Sequence, residues 1–380
     1  MNFYSRTLQS AAAFLHQECL QEKVESGAML LKNGANINAL DEDNQTPLHY
    51  ACYAGNVAKV ELLLKMGADV HISQNGRTLL HEMCLQDKVE CAEILLKYGA
   101  NINAVDESNE TPLHGACYKG NAACTEFLLM MGADVHTPQS PCTPLDTACQ
   151  QDKVKCAEIL IKYGANHSML FWNKPLNGGV TPLLFACFNG SISCMDLLLK
   201  MGANVRIPPG LTTPLHVACK EDKVECAEML IKYGVNINAV DSWDKTPVHY
   251  AFENGSVACV ELFLKMGADV DALINTTTQF HGTALHIAAM QNDLEMAEVL
   301  IEYGANVYAR NNQNKLPIDL LPQKEGGLFD LLVESTAQPV SLKDLCRQQI
   351  RATLVINNRL KSLPNLNIPR QLQLYLMHGA

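Results

Sequence analysis

Seven histidines occupy the same position of a recurring motif, and their type could support chemistry. They are His16, His49, His81, His114, His216, His249 and His286. An imidazole titrates near neutral pH and binds metals, so such residues could serve acid–base or metal chemistry. A catalytic or metal-binding histidine has no need to recur in repeat after repeat. We therefore interpret the series as structural, with each ring linking a threonine hydroxyl to the backbone of a neighbouring loop.

The 15 cysteines are also periodic. One series comprises Cys19, Cys52, Cys84, Cys117, Cys149, Cys187 and Cys219, and the other comprises Cys91, Cys124, Cys156, Cys194, Cys226 and Cys259. An odd number of thiols on apolar helix stripes, without a C-x-x-C pair, favours small core residues over disulfides, metal ligands or nucleophiles. Phosphate-binding, dinucleotide-binding and zinc-protease motifs are missing as well. We therefore predict that the protein is not an enzyme and that it has no catalytic residue, metal or cofactor.

The segment Thr111–Pro138 (TPLHGACYKGNAACTEFLLMMGADVHTP) shows which elements position these side chains. Thr111 can cap a helix, and Pro112 suits its first turn. Gly120 ends that helix and Asn121 can cap a second one. Helices this short are marginal alone, so each pair needs a neighbouring copy to cover its apolar face.

The anchor of this segment recurs along the chain at spacings of 32 to 38 residues. It reads AFLH at 13, TPLH at 46, 111 and 213, TLLH at 78, TPLD at 143, TPLL at 181, TPVH at 246, TALH at 283 and LPID at 316. This pattern resembles the ankyrin repeat, including its TPLH helix start and its GADV or GANINA loop. The resemblance implies an all-α solenoid of about ten helix pairs with β-turn fingers.

A second period indicates a duplicated block of two repeats. Alternate repeats carry QDKVEC-like junctions where the others carry glycine, and Asp tolerates the left-handed backbone that glycine supplies. Lys23, Lys88, Lys153 and Lys223 then recur along one edge. We expect them to form a solvated stripe, and the alternative is a docking surface.

Two longer fingers, near residues 167–180 and 271–282, and the acidic finger turns provide candidate contacts for a partner protein. The candidate substrate-binding residues are Phe171, Trp172, Trp243, Asp41, Asp106 and Asp241. Exposed tryptophans on loops are frequent contact residues, although these rings could instead pack under their own loops. We expect the carboxylates to be solvated or to face the partner.

The tail differs from the repeats in charge and pattern. Ser341 and Asp344 form a capping box for a helix whose Leu342, Cys346 and Ile350 lie along one seam, which Leu345 widens. This apolar seam needs a partner to cover it. The simplest interpretation is that the helix docks on the end of the solenoid as a cap.

The spacing S-L-x-x-x-C-x-x-x-I is similar to the elongin-binding box of the SOCS box. The resemblance implies that Leu342, Leu345, Cys346 and Ile350 bind elongin C, which associates with elongin B. In that family a later Leu-Pro-φ-Pro element helps to select the cullin, and Leu366, Ile368 and Pro369 match it here. Asn367 stands where the first proline is usual, which leaves the choice of cullin open, with the cullin-five type expected.

These features divide the chain into an N-terminal extension (1–12), an ankyrin array (13–334) and a SOCS box (335–380). Within the SOCS box we assign an elongin-binding helix to 341–354 and a cullin-contact region to 363–376. The order of domains resembles the ankyrin repeat and SOCS box family. It implies a substrate-recognition adaptor of an elongin B/C–cullin–RING ubiquitin ligase, with an unidentified protein substrate. The alternative is a non-enzymatic ankyrin scaffold whose last helices only cap the solenoid.

Composition limits the other function classes. The net charge of −11, with the basic residues concentrated in the tail, argues against a nucleic-acid-binding body. We find no secretory signal and no apolar run long enough for a membrane span. We therefore expect an intracellular protein of the cytoplasm, with the nucleus as a second compartment.

Overall fold

The structure is a computed structural model. It describes residues 36–74, 76–137, 140–166, 171–173, 178–205, 212–243, 245–268, 270–271, 274–275 and 281–337. Within these ranges the chain forms α-helices and three short hairpins, so the prediction of an all-α solenoid is confirmed. Among the described helices, none combines the length and apolar character needed to cross a membrane.

The chain forms two compact units, Met1–Ala203 and Asn204–Ala380. The helices of the first unit are α1 Pro47–Ala54, α2 Val57–Lys65, α3 Leu79–Leu85, α4 Val89–Lys97, α5 Pro112–Lys119, α6 Ala122–Met130, α7 Pro144–Gln150, α8 Val154–Lys162, α9 Pro182–Asn189 and α10 Ile192–Lys200. Odd-numbered helices, from α1 to α9, pack side by side as an inner layer, and even-numbered helices form an outer layer. The buried leucines, alanines and cysteines of both layers form its core.

Two antiparallel hairpins extend fingers from the first unit. Strands β1 Ser73–Gln74 and β2 Arg77–Thr78 pair with Gln74 opposite Arg77. Strands β3 Phe171–Asn173 and β4 Gly178–Val180 pair with Trp172 opposite Gly179. The first long finger predicted from sequence is therefore a β-hairpin.

The second unit repeats this plan. Its helices are α11 Pro214–Lys220, α12 Val224–Lys232, α13 Pro247–Glu253, α14 Val257–Lys265, α15 Ala284–Gln291, α16 Leu294–Glu302 and α17 Gly327–Ala337, and its hairpin strands are β5 Ile274–Asn275 and β6 His281–Gly282. The last inner helix shrinks to a 3-10 turn at Pro317–Leu320, because that repeat has lost the TPLH anchor. It packs on α15 while α17 packs on α16.

Local sequence explains the helix boundaries. Proline occupies the first turn of most inner helices, and a threonine precedes it with extended backbone, as Thr111 does before α5. Gly120 ends α5 in the left-handed conformation, with φ of 84°. Asp87, Asp152 and Asp222 take the equivalent left-handed position in alternate repeats, with φ of 56°, 51° and 50°. The prediction that aspartate replaces glycine at this turn is confirmed.

Candidate functional site

Anchor histidines fasten inner helices to the next finger, as α5 shows. In α5, the Thr111 backbone N–H donates to His114 Nδ1 at 2.9 Å, and the Thr111 hydroxyl lies 2.9 Å from the same nitrogen. Since Nδ1 accepts, Nε2 carries the proton and donates to the Cys142 carbonyl at 3.0 Å. Burial is the main cause that lowers the pKa of His114, so the ring is neutral at physiological pH.

The same arrangement recurs in both units. The rings of His81, His216 and His286 bond the carbonyls of Glu110, Lys245 and Lys315 at 3.1, 2.9 and 3.0 Å. The structural interpretation of these histidines is therefore confirmed, whereas His16 lies outside the described residues.

The cysteines of both series are core residues where the structure describes them. Twelve described cysteines are buried, and only Cys142, which belongs to neither series, is partly exposed; all are free thiols. In the described part of the chain, no cluster of three or more His, Cys, Asp or Glu side chains could hold a metal ion.

The lysine series is not a solvated stripe. The Lys88 ammonium donates to the carbonyls of Cys52, at 3.2 Å, and Tyr53 at the end of α1 in the preceding repeat. A cation there adds a donor to carbonyls of the last helical turn and complements the helix dipole. Lys153 also contacts the preceding repeat, because its aliphatic part lies over Gly120. A Cβ on Gly120 would come within 2.8 Å of the Lys153 Cδ. The prediction was wrong for Lys88 and Lys153 because both contact the preceding repeat, whereas Lys23 lies outside the described residues.

Asp87, next to Lys88, contacts the following repeat. Asp87 Oδ1 accepts the Cys124 backbone N–H at 3.2 Å, at the start of α6 in the following repeat. Asn121, which we expected to cap α6, makes no capping bond and instead donates to the Cys84 carbonyl at 2.7 Å. We call Asp87 and Lys88, with their equivalents in alternate repeats, the clasp. Asp87 and Lys88 bond their repeat to the repeats before and after it, and Asp152 accepts the Cys194 backbone N–H of the following repeat at 2.8 Å.

The finger carboxylates are not solvated as expected. Asp106 and Asp241 are only 8% and 3% exposed. Asp241 Oδ1 accepts the backbone N–H groups of Trp243 and Lys245, and its Oδ2 accepts the Tyr250 hydroxyl. Asp41 makes the equivalent bonds in its own finger. These aspartates close the finger turns, and their contact with a substrate stays a prediction.

Trp243 has the exposure expected of a contact residue, since 52% of its surface is accessible. Three other apolar side chains of the fingers are also exposed, namely Leu40, Val105 and Val240. Each lies one residue before the aspartate of its finger. The side chains of Phe171 and Trp172 lie outside the described part of the structure. Substrate binding by all these residues stays a prediction.

A cavity that the sequence did not reveal lies between the inner helices and two fingers of the first unit. Its volume is about 290 Å³, and its lining comprises His49, Tyr53, Arg77, Thr78, Glu82, Asp106, Glu107 and Ser108. These residues come from three successive repeats, so no local motif marks them. In the sequence, the acidic finger at Asp106 was the one feature that indicated a candidate site here.

The predicted elongin-binding residues Leu342, Leu345, Cys346 and Ile350 and the predicted cullin-binding residues Leu366, Ile368 and Pro369 lie outside the described residues. Their roles stay predictions from the sequence, as do the domain boundaries.

Comparison with known families covers both the array and the tail. Models of ankyrin repeats match residues 8–64 and, in overlapping segments, 66–311, and the model of the SOCS box matches residues 338–377. Mouse ankyrin repeat and SOCS box protein 13 is 35% identical over 103 residues, which cover 27% of this chain and 36% of that protein. Mouse ankyrin repeat and SOCS box protein 9 is 34% identical over 94 residues, which cover 25% and 31%.

A Caenorhabditis elegans ankyrin repeat and LEM domain-containing protein 1 homolog is 45% identical over 65 residues, covering 17% of this chain and 9% of that protein. The matches thus span 9% to 36% of the length of these relatives. The crystal structure of the human ASB11 ankyrin repeat domain aligns with 69% of this chain and 100% of its own, at 30% identity and a TM-score of 0.42. With ankyrin repeats over most of its length and a SOCS box behind them, the chain belongs to the ankyrin repeat and SOCS box family, as its sequence predicted.

Proposed function

We propose that this chain is the substrate-recognition adaptor of an elongin B/C–cullin–RING ubiquitin ligase. The observation that supports the proposal most directly is the SOCS-box match over residues 338–377, directly behind the repeat array. The array would hold a target protein, and the tail would connect it to the ligase. Catalysis would then be a matter of proximity, because holding an acceptor lysine near the ubiquitin-charged enzyme raises its effective concentration. The chain itself would contribute no reacting group.

Elongin C is the proposed partner of the apolar seam in the tail. Leu342, Cys346 and Ile350 recur every four residues, so a helix brings them onto one face, with Leu345 beside them. An apolar seam of this kind is stabilised by insertion into a hydrophobic groove of a partner. The acidic array and the basic tail fit a division of labour between substrate binding and ligase binding.

Co-purification with elongins B and C tests the proposal. The full chain should copurify with both proteins, and the double variant Leu342→Asp/Cys346→Asp should lose them, because two charges in an apolar groove are left without partners. A matched control is Gln348→Asp/Arg351→Asp, which adds two carboxylates on the opposite side of the predicted helix and should retain binding. Elongin binding by the seam variant would refute the proposal. A destabilised array with unchanged partners after deletion of residues 341–380 would instead favour a scaffold whose tail is only a cap.

The cullin-five type is the proposed cullin, in contact with Leu366, Ile368 and Pro369. Asn367 lacks the fixed backbone angle that a proline supplies at the first position of the element. We expect Asn367→Pro to strengthen cullin binding and Leu366→Ala/Pro369→Ala to weaken it, without changing elongin binding. Quantitative pull-downs from cells that express tagged cullins would measure both. The cytoplasmic and nuclear location stays a prediction.

A further inference from the structure

The cavity of the first unit carries an unbalanced charge. Its lining contains one arginine and three carboxylates, and the arginine is already engaged, because Arg77 Nε lies 3.2 Å from Asp106 Oδ2. The remaining carboxylates, Glu82 and Glu107, form no ion pair within the described ranges. The lining therefore has two more carboxylates than Asp106, the one that Arg77 pairs with.

Specific contacts hold the β1–β2 hairpin and the next finger together at one wall of the cavity. Gly76 has φ of 74°, and a Cβ there would come within 2.8 Å of the Asp106 Cα, so the β1–β2 hairpin and the next finger touch at a glycine. Asp106 is held by the backbone N–H groups of Ser108 and Glu110 at 2.9 and 3.0 Å. Burial opposes its ionisation, but these bonds and the Arg77 guanidinium outweigh burial and lower the pKa of Asp106. The hairpin and the finger are thus fixed against each other by a charged pair.

The opposite wall is aromatic. Tyr53 and His49 pack with ring centroids 6.3 Å apart. Burial is the main cause that raises the pKa of Tyr53, and the negative charge of Glu82 adds to it. The phenol ring therefore stays neutral and lies within the electrostatic reach of that carboxylate.

We propose that this cavity receives an arginine side chain of the partner protein. The proposal rests on the proposed function in one respect, since it assumes that the array binds a protein. A guanidinium carries five donors in a plane, which suits two carboxylates and the face of an aromatic ring at once. The volume lies at the lower end of the roughly 300–1,000 Å³ of ligand pockets, so it accommodates one side chain rather than a nucleotide. The carboxylates disfavour a phosphate or any other anion.

Saturation-transfer NMR on the full chain tests the proposal with N-acetyl-arginine amide as probe. The matched control ligand is N-acetyl-citrulline amide, which has nearly the same shape without the charge. We expect saturable binding of the arginine probe, weakened when salt is raised because the contact is partly exposed, and no saturable binding of citrulline. The lysine analogue should bind more weakly than arginine, because its ammonium is a point charge without a planar fork.

Two variants locate the site. Glu82→Gln/Glu107→Gln keeps the side-chain shapes and removes both unpaired charges, so it should weaken arginine binding by about fivefold or more. Glu126→Gln/Glu158→Gln, which changes two carboxylates of the outer helices α6 and α8, should leave it unchanged. Equal binding of citrulline, equal or tighter binding of lysine, or full affinity in the Glu82→Gln/Glu107→Gln variant would overturn the proposal. Because that variant keeps the tail intact, its elongin binding should persist, so this test and the test of the adaptor function can fail independently.

Discussion

Asp146 occupies a position where most other repeats place a histidine, and this difference allows a quantitative prediction. Its Oδ2 accepts the backbone N–H and the hydroxyl of Thr143, both at 2.8 Å. Its Oδ1 is buried and has no hydrogen-bond partner within the described part of the chain. The equivalent atom of His114 is a donor to the next finger. An ionised carboxylate cannot donate, so Asp146 leaves a buried charge with half of its acceptors unused.

Burial raises the pKa of Asp146 from 3.8 to about 6, even though both bonds from Thr143 oppose the shift. Because the folded form holds its proton more tightly than the unfolded chain, stability is greatest below pH 3.8 and falls as the pH rises through 6. A difference of one pKa unit between the folded and unfolded states changes the free energy of unfolding by about 1.4 kcal/mol. The charge therefore destabilises the fold by about 3 kcal/mol at a pH of about 7.5, and by roughly half as much at a pH of about 5.

The variant Asp146→Asn removes this cost, because its carbonyl accepts both bonds from Thr143 and its NH₂ group supplies donors without charge. Urea unfolding followed by circular dichroism should show the variant to be more stable than the wild type by about 3 kcal/mol near neutral pH, with the gain halved at a pH of about 5. The buried histidines titrate in both proteins, so the difference isolates Asp146.

Asp134→Asn is the matched control. Asp134 is exposed and its Oδ1 accepts the His136 backbone N–H at 2.9 Å, so this variant makes the same change of charge outside the core. We expect no comparable gain from it. A gain in Asp146→Asn that does not depend on pH, or a loss of stability at neutral pH, would refute the assignment of a buried destabilising charge.

Two further predictions concern contacts between repeats. Lys88→Met should lower the free energy of unfolding by about 1.5–3 kcal/mol, because two carbonyls of α1 lose a charged donor; Lys97→Met, which loses only the exposed pair with Glu61, should cost about 0–1 kcal/mol. Equal effects in urea unfolding would contradict the role of the clasp. Gly76→Ala should destabilise more than Gly67→Ala, since both have positive φ but only Gly76 approaches Asp106. It should also weaken binding of the arginine probe, and an unchanged affinity would show that the hairpin does not shape the cavity.

The sequence predicted the features that depend on local interactions. Threonine and proline define the start of an inner helix, and glycine or aspartate defines its end, so the helix pairs and their left-handed turns could be read directly. The histidines could also be interpreted, because their partner Thr111 or its equivalent lies three residues away and recurs with them.

Features that depend on contacts between repeats could not be predicted in the same way. Lys88 resembled a solvated residue because its acceptors lie 35 and 36 residues earlier in the chain. Asp106 and Asp241 resembled surface charges, since an acidic finger sequence does not reveal that its own backbone turns around the carboxylate. The cavity combines side chains of three repeats that share no spacing rule, and only the folded arrangement brings Glu82 and Glu107 to it.

The clasp has a consequence for how such a chain can grow or shrink. The repeat with Asp87 and Lys88 receives the Asn121 amide of the following repeat at its Cys84 carbonyl, and Lys153 of the next such repeat lies over Gly120, where a Cβ would come within 2.8 Å. Two clasp repeats side by side would lose this amide bond and would place an aspartate Cβ against the lysine. Insertion or deletion of a single repeat would place like junctions together, whereas gain or loss of a pair would restore every contact. Gene duplication and protein engineering alike should therefore change the length of this array in steps of two repeats, or about 65 residues, which is the spacing from Lys88 to Lys153.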